Sequence, residues 1–148
     1  MLMRRTFTLT ALIVSGLIAG TAAATEDAEI SVAPGLWNWS HSTTLAGVPF
    51  SEENTECLPP DMASVSLQEM ADDLNQDCVV SDIQPIQAGY SFTLTCTGFY
   101  TGEAEGTMTK LSDYQLQMDA EGQVGLAGME ADFSFSARAM RVDECPVR

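Results

Sequence analysis

The chain has 148 residues, a formal charge of −15 from 21 acidic and 6 basic side chains, and 45% apolar residues. That length holds one domain, and the acidic excess excludes nucleic acid as a partner, because phosphates are bound by clustered Lys and Arg. Lys110 is the only lysine, so there is no polybasic patch for an anionic membrane either.

The first segment reads as a removable leader. Arg4 and Arg5 give a positive start, Phe7 to Ile18 form a short apolar run, and Ala22-Ala23-Ala24 supply the small residues a signal peptidase needs. The run is shorter than the roughly 20 residues of a membrane span. No cysteine follows it to carry a lipid. Residues 1–24 are therefore expected to be a signal peptide, which places the mature chain in the periplasm or outside the cell with no stable membrane insertion. Cleavage would remove both arginines and deepen the charge from −15 to −17, a density suited to a salty medium that screens self-repulsion. Residues 25–33 read as a flexible acidic lead-in, and residues 34–148 as a single domain.

Pro34-Gly35 marks the start of that domain, and Leu36 to His41 alternate as a strand with Trp37 and Trp39 on its inner face. Val48-Pro49-Phe50 reads as a short extended piece or turn before the acidic Glu52, Glu53 and Glu56. Asp61 after Pro60 suits a short turn. Ser66-Leu67-Gln68-Glu69 matches a capping box, with Leu67, Met70, Ala71 and Leu74 at helical spacing behind it. This is the one expected helix, with Asp72 and Asp73 on its solvated side.

Four cysteines, Cys57, Cys78, Cys96 and Cys145, follow in an exported chain, where an even count points to disulfides. No C-x-x-C pair suggests zinc or a redox motif. Of three possible pairings, one has a geometric basis. Cys78 and Cys96 are equidistant from Gln87, beside the turn-forming Pro85 and Gly89. Folding the chain there sets Cys78 opposite Cys96, Val80 opposite Leu94 and Asp82 opposite Phe92. The second arm alternates Tyr90, Phe92, Leu94 and Cys96 against Ser91, Thr93, Thr95 and Thr97, as a half-buried strand does. Cys57–Cys145 follows by elimination.

Gly106 to Leu111 and Tyr114 to Ala120 flank Ser112-Asp113, a tight turn between strands. Met129 to Ala139 is the clearest strand, with Met129, Ala131, Phe133, Phe135 and Ala137 on one face. Gly122 to Gly128 lacks the strand–helix setting of a phosphate loop and reads as a glycine-rich bend or bulged strand. The expected fold is mainly β: a strongly curved antiparallel sheet or small β-barrel of about six or seven strands, with one short helix and two disulfides.

Pro34-Gly35-Leu36-Trp37, Cys57-Leu58-x-Pro60, Cys78 opening a strand, Cys96 closing one and the near-terminal Cys145 occur in that order. In this the chain resembles the exported bacterial family catalogued as domain of unknown function 3617, over about Pro34 to Cys145. Asn38 stands where that family usually has an acidic residue, and Asp143-Glu144 where Gly-Asp is frequent. The resemblance implies a periplasmic or secreted domain with no assigned reaction, and carries over no catalytic residues.

Residues that could carry chemistry are few. His41 is the only histidine, and no G-x-S-x-G elbow accompanies it. The acids Glu52, Glu53, Glu56 and Asp72, Asp73, Asp77 lack the D-x-D-x-D-G spacing of a calcium loop. Met108, Met118, Met129 and Met140 fall about one per strand, and thioethers sharing a face suit Cu(I), although core filling is the ordinary role of methionine. The strongest constellation is apolar. Trp37, Trp39, Tyr90, Phe92, Tyr114, Phe133 and Phe135 on the inner side of a curved sheet would line a site for an apolar ligand, unless they simply fill the interior. The expected function is thus a non-enzymatic, monomeric binding or interaction domain, without metal or cofactor, for an apolar ligand or an envelope protein. The alternatives are a small hydrolase using carboxylates or His41, and a Met-based metal carrier.

Overall fold

Apolar and polar residues alternate through much of the chain, and in a computed structural model most of the described residues form antiparallel strands. The structure describes residues 28–74 and 76–146, so the expected signal peptide lies outside the described residues. The elements are β1 (Glu29–Ser31), β2 (Gly35–Leu45), β3 (Val48–Leu58), β4 (Ser64–Ser66), α1 (Leu67–Leu74), β5 (Cys78–Ile86), β6 (Gly89–Cys96), β7 (Tyr100–Ser112), β8 (Gln115–Leu126) and β9 (Met129–Asp143). Seven strands form one sheet in the order β3-β2-β9-β8-β7-β6-β5, and β1 pairs with β4. Strands β5 to β9 are a meander, and the β2–β3 hairpin adds beyond β9. The sheet is open, with β3 and β5 as its edges, so of the two expected forms the curved sheet is the one adopted.

One face of the sheet is apolar, and small residues are set among the large ones Met108, Leu116, Met118, Phe133 and Phe135. Ala104 and Gly106 on β7, Ala120 and Gly122 on β8, and Ala137 and Ala139 on β9 share that face by register. Over it lies α1, with Leu67 and Ala71 buried. The helix contacts side chains from β2 to β5, five strand spacings that would cover about 24 Å if flat. A helix is only about 10–12 Å across, so the sheet must curve toward it. Phe92 lies over Gly106, where a Cβ would sit 2.5 Å from its ring. The N-cap half of the expected capping box is present: Glu69 N–H donates to Ser66 Oγ at 3.3 Å.

The two disulfides join Cys78 to Cys96, across the β5–β6 pair, and Cys57 to Cys145, tying the end of β3 to the residues after β9. In the chain-entropy view the 18-residue loop contributes roughly 3 kcal/mol and the 88-residue loop roughly 4–5 kcal/mol. Between these ends runs β2, whose Pro34-Gly35-Leu36-Trp37 opening is a clasp. Trp37 is fully buried, and its Nε1 donates to the Ala33 carbonyl at 3.0 Å. The Arg141 guanidinium crosses Gly35, donates to the Pro34 carbonyl at 2.6 Å, pairs with Glu144 and stacks over Tyr114.

Four expectations change. Residues from Ala28 are part of the fold and not a loose lead-in, because Ala28, Ile30 and Val32 are buried and β1 pairs with β4. Val48-Pro49-Phe50 and the acids after them are one continuous 11-residue strand, β3. Its residues lack alternation because an edge strand exposes both faces. Asp82 is not opposite Phe92: a bulge between Ser81 and Gln84 shifts the register so that Gln84 faces Ser91, and Asp82 takes φ 49°. Gly122 to Leu126 continue β8 as a regular strand, leaving Ala127-Gly128 as a two-residue turn.

That turn and Ala46-Gly47 both place two consecutive residues at positive φ, 51° and 81° for Ala127-Gly128. An alanine there pays about 1 kcal/mol that Asn largely avoids. Ala127→Asn should therefore raise stability by roughly 0.5–1 kcal/mol, seen as a higher urea midpoint with an unchanged slope. In the opposite direction, a Cβ on Gly35, at φ 145°, would meet the Arg141 side chain and lie 2.6 Å from the Asp143 carbonyl. Gly35→Ala should cost about 1–3 kcal/mol, and removing the Arg141 guanidinium in the same chain should recover part of that loss.

Candidate functional site

The apolar side of the sheet is filled beneath α1, and its open space, about 780 Å3, lies at the β5–β6 turn against Ile30, Pro85, Ile86, Tyr90 and Lys110. Of the seven aromatic residues expected on it, Trp37, Phe92 and Phe135 are buried, while Trp39, Tyr90 and Phe133 are partly buried and packed against the same core. Phe92, Phe133 and Phe135 meet Leu67, Met70 and Ala71 of α1 around a void of about 20 Å3. Trp39 meets Met70, Met108 and Met118 around one of about 10 Å3. Neither has room for more than about one water molecule. Trp39 Nε1 is buried in this packing with no hydrogen-bond partner. Tyr114 stands apart in the β7–β8 turn, 56% exposed, beneath Arg141.

The large concavity lies on the polar face, displaced toward the β2–β3 turn, and holds about 1150 Å3 of open space. Strand register builds its floor. Thr93, Glu105, Glu121, Ser134 and Thr44 form one row across β6, β7, β8, β9 and β2. Ser91, Thr107, Asp119 and Ser136 form the next. Asp82 from the β5 bulge and Asp132 from β9 add carboxylates at the margins, and no Lys or Arg lines the space. Asp119 is held in place, accepting from Ser136 Oγ at 2.8 Å and from Gln117 Nε2 at 2.7 Å. Gln123 Nε2 donates to Asp132 at 3.4 Å. Glu105 and Glu121 are direct cross-strand neighbours, both exposed. Like charges so placed repel by up to roughly 1 kcal/mol. The hollow is thus a hydroxyl-floored surface of concentrated negative charge.

The other candidates are dispersed. His41 Nε2 lies 3.5 Å from Glu52 at the outer margin of the sheet, with its ring against Phe135. Its register puts it on the apolar face, opposite to the hollow. Glu52 and Glu56 share that face of β3 and Glu53 takes the other. Asp72 accepts from Gln68 at 2.8 Å on the exposed side of α1, and the Asp77 carbonyl accepts from the Thr97 amide at 3.0 Å. Met108 and Met118 are buried cross-strand neighbours joined by Met70, whereas Met129 and Met140 are 70% and 52% exposed toward opposite ends of β9. Among the described residues no three His, Cys, Asp or Glu gather in a metal-binding group.

The polar hollow was the feature that sequence reasoning missed. Its residues alternate as a solvated face does. Folding β7 and β8 about the expected Ser112-Asp113 would pair Glu105 with Ala120. The turn falls instead at Asp113-Tyr114, which alone would pair Glu105 with Gly122, and the bulge between Lys110 and Ser112 brings it to Glu121. Among the described residues no helix is long and apolar enough to cross a membrane.

Comparison with known proteins gives one result. Neither the curated proteins nor the solved structures contain a match. The family model described as a protein of unknown function, DUF3617, matches residues 32–145, from the approach to the Trp37 clasp through the last disulfide cysteine. The chain belongs to the DUF3617 family.

Proposed function

We propose that this chain is a non-enzymatic, disulfide-braced binding domain of the periplasm or the extracellular medium, and that it engages a cationic partner through the polar hollow. The leader-like first segment, the paired cysteines and the lack of a membrane-crossing helix among the described residues support the compartment. One observation carries the binding reading. The core beneath α1 is filled to voids of about 20 and 10 Å3, while an open space of about 1150 Å3 lies over rows of carboxylates and hydroxyls with Phe92, Ala120 and Phe133 between them. This favours a polar, positively charged ligand over the apolar one suggested by the aromatic pattern. A concave surface of one sign concentrates counter-charged partners and speeds their association. The His41–Glu52 pair, isolated on the other face from these carboxylates, gives no comparable support to hydrolysis.

Pentalysine is a sufficient probe. By calorimetry at low ionic strength, replacing Glu105→Gln, Glu121→Gln and Asp132→Asn together should weaken its binding by about tenfold or more, roughly 1.4 kcal/mol. Neutralising Glu69, Asp61 and Glu130 instead changes net charge equally and should weaken it much less. Equal losses in the two variants would mean that pentalysine responds to total charge alone, and the hollow would lose its role.

A further inference from the structure

The two edges of the sheet are treated differently. On β5 the outward backbone groups are satisfied by α1: Gln68 Oε1 accepts from Val80 N–H at 3.2 Å, and Gln68 Nε2 donates to the Cys78 carbonyl at 3.4 Å. The side-chain amide takes the place of a neighbouring strand. Further along, the bulge between Ser81 and Gln84 and the proline at 85 interrupt the regularity of the outer edge, while pairing with β6 continues to Ile86. That edge is closed in the ways natural sheets close their edges.

Edge β3 has no such cover. Ten of its 11 residues are exposed, and among the described residues its backbone bonds only to β2. The two-residue Ala46-Gly47 turn makes Leu45 and Val48 a hydrogen-bonded pair. Alternation then turns the N–H groups of Val48, Phe50, Glu52, Asn54 and Glu56 toward β2, and those of Ser51, Glu53 and Thr55 outward. Pro49, which has no N–H, falls at an outward position and so leaves the β2 ladder intact.

The side chains of β3 determine what can pair there. Val48 and Phe50 are 53% and 56% exposed on the apolar-face side, followed on that side by Glu52 and Glu56, with Glu53 on the other. A second copy pairing antiparallel through β3 would oppose these glutamates to one another, a destabilising arrangement. An incoming strand with lysine or arginine at alternate positions would neutralise Glu52 and Glu56, while the aliphatic stems of those same side chains cover Val48 and Phe50. We infer that β3 is a strand-addition site, at which an extended cationic segment of another protein, alternating basic with apolar residues, joins the sheet as an eighth strand. The inference rests on reading the domain as an interaction module, but it uses a surface separate from the hollow.

The test uses the full domain and an acetylated, amidated (Lys-Val)4 peptide. Backbone pairing should slow amide hydrogen exchange at Ser51, Glu53 and Thr55 by at least about tenfold in NMR. The same peptide N-methylated at every second residue keeps its charge but cannot pair, and should bind at least about tenfold more weakly. Thr55→Pro, which removes one outward donor, should weaken the unmodified peptide similarly, and the N-methylated peptide keeps the test independent of whether that variant folds. Equal binding of the two peptides, or protection confined to Thr93 and Glu121 in the hollow, would overturn the inference. Sedimentation showing self-association that Thr55→Pro abolishes would overturn it in favour of a second copy. If (Lys-Val)4 gives no protection at β3 while pentalysine still distinguishes the hollow variants, strand addition fails alone and the binding reading stands.

Discussion

Ala104, Gly106, Ala120, Gly122, Ala137 and Ala139 set small side chains among Met108, Met118, Phe133 and Phe135 on the apolar sheet face, and α1 packs into the relief this leaves. A helix of eight residues is far too short to be stable alone. It persists because Ser66 caps it, because Leu67 and Ala71 are buried, and because Gln68 bonds to the β5 backbone. Larger residues at these six positions would lift the helix away and open an interior. With small ones, the interior is closed. The aromatic residues that suggested a ligand site are the material of that closure, and recognition is left to the outer surfaces.

The few cations serve the same economy. Lys110 donates to the Ser31 carbonyl at 2.8 Å and pairs with Asp113 at 2.6 Å, fastening β1 to the β7–β8 turn. Arg141 fastens the entry of β2 to the residues before Cys145. Both are used within the fold and neither lines the hollow, whereas the exposed Arg138 of β9 lies on the polar face two residues beyond Ser136. The negative charge of the hollow and of β3 is therefore left without internal compensation from Lys110 or Arg141. Repulsion such as that between Glu105 and Glu121 lowers stability somewhat, and the Cys57–Cys145 bridge, closing 88 residues, offsets it.

Much of this was legible in the sequence for physical reasons. The hairpin between Cys78 and Cys96 was readable because the turn residues sit at its midpoint and β6 alternates cleanly; the pairing holds at Cys78, Val80 and their partners until the bulge. The helix was readable from its cap. Strand β3 was not, because edge residues exposed on both faces carry no period. Nor was β1, whose three residues gain their order from β4 and the core. The function of Gly35 was hidden for another reason: the group that requires its small size, Arg141, lies more than a hundred residues away. The hollow needed the register of five strands at once, and a single bulge at Lys110–Ser112 decides whether Glu105 meets Glu121.

The account depends most on the interior being full. Met70, Met108 and Met118 border the void beside Trp39, so their methyl groups report directly on it. In protein labelled at the methionine methyls, spectra recorded under rising xenon pressure should show no saturable shift at these three residues. Xenon enters dry apolar cavities of about 150 Å3, so saturable shifts at Met70, Met108 and Met118 would reveal a hollow core and return the aromatic face to consideration as a ligand site.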